Sequence, residues 1–113
     1  MSEDGRAAGR PLTVIVPTRD RPDMLQRCLS SIRASLREGD ELIVVDSASI
    51  DGESVRRIGE DAGATVLRCD RPGVNRARNL GWRRATHALI GWTDDDVWAV
   101  SYTHLTLPTI LRV

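Results

Sequence analysis

Four short apolar runs constrain this chain more than any other feature: Leu12–Val16 (LTVIV), Glu41–Val45 (ELIVV), Ala64–Cys69 (ATVLRC) and Ala88–Trp92 (ALIGW). None alternates polar with apolar residues, so each reads as a strand covered on both faces. The segments between them repeat apolar residues at helical spacing. Met24, Leu25, Cys28, Leu29, Ile32 and Leu36 share one face of the first segment. Asp20 is expected to cap that helix, with Pro22 in its first turn, Asp23 as a capping-box-like acid and Gly39 at its end. A second helix reads over Glu53–Ala62, closed by Gly63. A third reads over Arg76–Thr86, with Ala77, Leu80 and Ala85 inward. The order β-α-β-α-β-α-β implies an α/β fold, a mostly parallel sheet with helices on both faces and right-handed crossovers. Ligands bind such sheets beyond the carboxyl ends of the strands. Thr18, Arg19, Asp46, Arg71 and Asp94-Asp95-Asp96 all follow strand ends.

The length, 113 residues, suits one small domain. All 16 basic residues are Arg, and 16 acidic residues balance them, which argues against a basic nucleic-acid module. No apolar run is long enough to span a membrane. The polar start MSEDGRAAGR lacks a signal peptide's apolar core, and residues 1–11 read as a flexible leader. Cys28 and Cys69 form no CxxC and no Cys/His cluster, so neither zinc nor a disulfide framework is expected. Core packing and a reducing, cytoplasmic setting are the default for both. The chain has no GxGxxG after its first strand, no GxxxxGK[ST] and no GxSxG. These absences disfavour a dinucleotide oxidoreductase, a P-loop enzyme and an α/β-hydrolase.

From Val100 the composition changes. VSYTHLTLPTILRV holds three of the eight Thr and the only Tyr, and contains no acidic residue, Ala or Gly. The run resembles one translated frame of a sequencing adapter, and Ala99 is among the residues that frame permits before it. Residues 100–113 are therefore expected to be a non-native tail that cuts the reading frame, leaving 12–99 as the N-terminal part of a longer domain. The competing reading is a genuine strand of alternating Thr and Leu.

Several residues could carry chemistry. Asp94 and Asp96 lie two apart after an apolar strand, so in extended chain they point the same way and suit a hard divalent cation holding phosphate oxygens. The alternative is a solvated acidic turn or a helix start that favours negative charge. Asp46 ends the second strand, where a ligand contact and plain turn chemistry with Ser47 and Ser49 both fit. Arg76, Arg78 and Asn79 open the third helix, whose N-terminus favours phosphate; a solvated face is the alternative. Trp82, Trp92 and Trp98 read as core or rim packing.

The segments VIVPTRDRPDMLQRCLSSI, LIVVDSASIDGES, GVNRARNLGWRRA and TDDDV, in this order, resemble the opening half of a family 2 glycosyltransferase. The resemblance covers about Leu12 to Val97 and implies a Rossmann-like GT-A nucleotide-binding half. It implies that Pro17-Thr18-Arg19 lies against the donor nucleotide, that Asp46 contacts the base and that Asp51 shapes its loop. Ser47 and Ala48 depart from the family's usual acid and Gly, which leaves the base preference open. Arg78-Asn79, with Gly81, matches the segment beside the nucleotide. Asp94-Asp95-Asp96 matches the DxD motif, with Asp94 near the ribose and Asp96 binding Mg2+ or Mn2+. The implied reaction moves a sugar from a nucleotide-diphosphate donor to an acceptor hydroxyl with inversion. The general base is expected downstream of this chain, so the chain should be inactive alone; the acceptor, and any later membrane association, stay open. A non-catalytic nucleotide-sugar-binding module is the alternative. A sugar-nucleotide pyrophosphorylase would need a Gly-rich basic loop after the first strand, and PTRDRP has no Gly.

Overall fold

A computed structural model describes residues 11–87, 89–92 and 109–112. Strands β1 (Leu12–Thr18), β2 (Glu41–Ser47), β3 (Thr65–Cys69) and β4 (Leu89–Trp92) coincide with the four apolar runs. Helices α1 (Pro22–Ser35), α2 (Gly52–Asp61) and α3 (Val74–Arg84) connect them. A fifth strand, β5 (Thr109–Arg112), completes one sheet of order β3-β2-β1-β4-β5. The first four strands are parallel, and β5 runs antiparallel to β4.

Alternate residues of the central strands feed two separate cores, as strand geometry requires. Val14, Val16, Leu42 and Val44 meet Leu25, Cys28, Leu29 and Ile32 of α1 and Val55 of α2. Ile15, Ile43, Val45 and Ile90 meet Ala77 of α3 on the opposite face. The expected two-faced cover therefore holds. Each fully buried aliphatic side chain contributes about 1.5–3 kcal/mol relative to exposure. Cys28 is buried, Cys69 is half-buried, and neither forms a disulfide among the described residues. The outward position of Met24, 38% exposed, corrects its assignment to the inner face of α1.

Two further expectations need correction. Asp20 does not cap α1: Arg21 stands at that position without a side-chain cap, because Asp20 is drawn into contacts with the β2–α2 loop. Pro17 does not end β1. The strand runs on through Pro17, which stands level with Val45 of β2, to Thr18. Within the stretch read as a tail, residues 109–112 form β5, which leaves the origin of that stretch as it was. Thr109, Ile110 and Leu111 favour extended backbone, and the outer edge of β4 offers unpaired N–H and C=O groups to receive it.

The amino edge of the sheet is tied by Glu41. Its Oε1 accepts from the Thr13 hydroxyl (2.8 Å), the Thr86 N–H (2.9 Å) and the Thr86 hydroxyl (3.0 Å). Burial works to raise this carboxyl, but those bonds and the nearby His87 together hold it below its ordinary value. The α1–α2 pair is fastened by Arg33, whose Nε donates to the Ala62 carbonyl at 2.9 Å, satisfying an end of α2. Among the described residues no helix is long and apolar enough to cross a membrane.

Candidate functional site

In this topology α1 leaves β1 on one face of the sheet, whereas α3 enters β4 from the other. The strand order turns back between β1 and β4, and the crevice outside their carboxyl ends is where open α/β sheets bind ligands. β1 and β4 are parallel, so the chain leaves both on that edge.

Three polar residues stand level there. Thr18 is in register with Asp46, and Asp46 with Arg68. Thr18 and Asp46 are only 3% and 2% exposed. A carboxylate this buried needs partners. Its Oδ1 accepts from the Ser49 N–H at 3.0 Å, and its Oδ2 meets Arg68 Nη1 at 2.7 Å. Arg68 Nη2 also donates to the Ser49 carbonyl at 3.1 Å. Gly52 makes the approach possible, since a Cβ there would stand 2.5 Å from Arg68 Nη1 and 3.1 Å from Asp46 Oδ2.

The β1–α1 and β2–α2 loops are joined to each other. The Asp20 N–H donates to Ser49 Oγ at 2.9 Å, and Asp20 Oδ1 accepts from the Ile50 N–H at 2.8 Å. Both Asp20 (φ +56°) and Ala48 (φ +59°) are left-handed. Asp51 caps α2, accepting from the Ser54 N–H at 3.1 Å and the Ser54 hydroxyl at 2.6 Å. The hydroxyl, then the N–H, hold its carboxyl below the usual range. That loop-shaping geometry fits the role the resemblance implied for Asp51.

A third loop is tied in by Ser47, whose Oγ accepts from the Gly73 N–H at 3.0 Å just before α3. The first turn of α3 carries no acidic residue and no side-chain cap. Arg78 is half-buried, whereas Arg76 and Asn79 are exposed. Asn79 opens onto a cleft of about 360 Å³ beyond β3, shared with Cys69, Asp70, Arg71, Arg76 and Arg83.

The structure thus brings Pro17, Thr18, Arg19 and Asp46 to one edge, with Arg78 and Asn79 on the helix whose start is bonded to it. Asp94, Asp95 and Asp96 lie outside the described residues, among which no group of three His, Cys, Asp or Glu could hold a metal ion. Sequence reasoning missed Arg68. The signal was a charged residue inside an apolar strand, in a parallel register that sets it beside Asp46.

The chain is similar to known proteins over a minor part of their length. The family described as Glycosyl transferase family 2 matches residues 13–103. A glycosyltransferase GlyA of Streptococcus pneumoniae is 30% identical over 90 residues, covering 77% of this chain but 13% of that protein. Among solved structures, the mannosyltransferase PcManGT of Pyrobaculum calidifontis, in complex with GDP-Man and Mn2+, is 37% identical with a TM-score of 0.68. That match covers 79% of this chain and 28% of the mannosyltransferase. Glucosyl-3-phosphoglycerate synthase of Mycobacterium tuberculosis, with Mn2+, uridine diphosphate and glucosyl-3-phosphoglycerate, is 30% identical with a TM-score of 0.60, covering 78% and 34%.

Proposed function

The chain belongs to glycosyl transferase family 2, and from that premise we propose that it forms the donor-binding half of an inverting glycosyltransferase. The observation that carries this reading is the row of Thr18 and Asp46 at the carboxyl edge, beside the reversal of strand order between β1 and β4. The donor is a nucleotide-diphosphate sugar. Its nucleoside lies against Pro17-Thr18-Arg19 and the loop held by Asp46, with Arg78 and Asn79 beside it and Asp94 near the ribose. The uncapped, acid-free start of α3 suits a neighbouring phosphate.

In the reaction the acceptor oxygen bonds to the anomeric carbon from the face opposite the leaving group. The bond from that carbon to the diphosphate oxygen breaks, and the nucleoside diphosphate leaves with the electron pair. The acceptor proton goes to a carboxylate base, which the family resemblance sets downstream of Asp96. Mg2+ or Mn2+ at Asp96 would neutralise charge on the leaving diphosphate. The chain's own residues bind the nucleoside, orient it and keep water from its base.

Calorimetry tests the reading. UDP- and GDP-sugars are titrated into the chain with and without Mn2+, and into Asp96→Ala. Metal-dependent binding that Asp96→Ala abolishes is expected. Equal donor affinity in that variant would remove the metal role.

A further inference from the structure

We propose that Arg68 is a positioning residue for the nucleobase end of the donor site, acting through the two loops that wall it; this rests on the donor reading above. Arg68 grips the β2–α2 loop twice, by the Asp46 carboxylate at 2.7 Å and the Ser49 carbonyl at 3.1 Å. Asp46 closes the circuit by accepting from the Ser49 N–H. The N–H and C=O of Ser49 are thus both committed to one clasp. The grip then passes on. The Ser49 hydroxyl accepts from the Asp20 N–H, and Asp20 accepts from the Ile50 N–H, which fastens the loop after Thr18 and Arg19. No other cation meets Asp46 among the described salt bridges.

A planar fork is needed here. One guanidinium reaches a carboxylate oxygen and a carbonyl oxygen together, whereas a lysine ammonium is a point charge on a flexible stem. Asp46, 3% exposed at its side chain, is spent on the clasp, so its influence on a bound base runs through the loop it holds. Arg68 itself is 46% exposed, on the edge strand β3, and its removal leaves both hydrophobic cores intact. Its loss also leaves the Asp46 carboxylate buried without its cation, so each variant's fold is checked beside its affinity.

The test compares Arg68→Ala, Arg68→Lys and Gly52→Ala with the unaltered chain, each checked by circular dichroism at 10 °C. Dissociation constants are measured for UDP, GDP and, as a base-free probe, inorganic pyrophosphate, all with Mn2+. Arg68→Ala is expected to weaken the preferred nucleoside diphosphate by about tenfold or more while leaving pyrophosphate within twofold. Arg68→Lys should fail to restore that affinity. Gly52→Ala, which displaces the guanidinium without removing it, should reproduce the loss. Unchanged nucleoside-diphosphate affinity in folded Arg68→Ala or Arg68→Lys overturns the positioning role while the donor reading stands. Equal losses for nucleoside diphosphate and pyrophosphate also overturn it, since a general loosening does not distinguish the base. If the unaltered chain binds neither UDP nor GDP, the donor reading falls and this inference falls with it.

Discussion

Ala48 holds φ at +59° in the loop that follows β2. An L-residue there crowds its Cβ against the neighbouring carbonyl, at a cost of about 1–2 kcal/mol, and glycine avoids it. Glycine gives back part of that gain because its unfolded chain has more freedom. Ala48→Gly is therefore expected to leave the chain equally stable or up to about 1 kcal/mol more stable, read from urea midpoints. A lowered midpoint would show that the loop needs the alanine methyl. Asp20 shows the same backbone class put to another use. Its side chain and N–H were assigned by sequence to a helix start, where a small polar acid before Pro22 ordinarily sits. The structure spends them instead on Ser49 and Ile50, 29 and 30 residues away. Local spacing carries no information about such a partner, which is why this part of the site was illegible. Asp46 and Ser49 were legible as turn formers; Arg68, their missing partner, became visible only through the register of β2 with β3.

At the scale of elements, α3 lies closer to the sheet than a helix with side chains all round could. A Cβ at Gly81 would stand 2.6 Å from Ile15 Cγ2 and 3.2 Å from Val45 Cγ2. Replacing glycine by alanine in an exposed helix usually stabilises by roughly 0.5–1 kcal/mol. Here the sign reverses. The methyl meets a β-branched core side chain that has no room to swing, and Gly81→Ala is expected to cost about 1–3 kcal/mol. Urea denaturation checks it, and a stabilised variant would show that α3 can lift off without cost. The elements themselves were readable because each apolar run is bounded by turn residues and separated by 3.6-residue periodicity. β5 lies in the run whose competing reading was a strand of alternating Thr and Leu. Trp82, read as core or rim packing, is 46% exposed and so is not core, because α3 buries Ala77 and Gly81 but not the residue beside them.

At the scale of the whole molecule, the Glu41 network joins β1, β2 and the approach to β4 at the edge opposite the site. Its carboxyl lies below its ordinary value of 4.5 in the fold. A group depressed in this way favours folding while ionised, so its contribution is full above that value and is lost as pH falls through the lower, folded one. Urea midpoints from pH 7 to 3 should fall more steeply for the unaltered chain than for Glu41→Gln below about pH 4.5. Parallel curves would mean that the threonine bonds do not discriminate between the two charge states. The strand order has a consequence in time as well as in space. β1 leaves the ribosome first, and its partner on one side, β2, is complete at Ser47, while β4 on the other side begins only at Leu89. At about 5–20 residues per second, the intervening stretch takes on the order of 2–8 s to emerge. For that interval the most buried strand of the finished sheet presents an open edge to the cell, and α3, made just before β4, shields its face before anything closes its side.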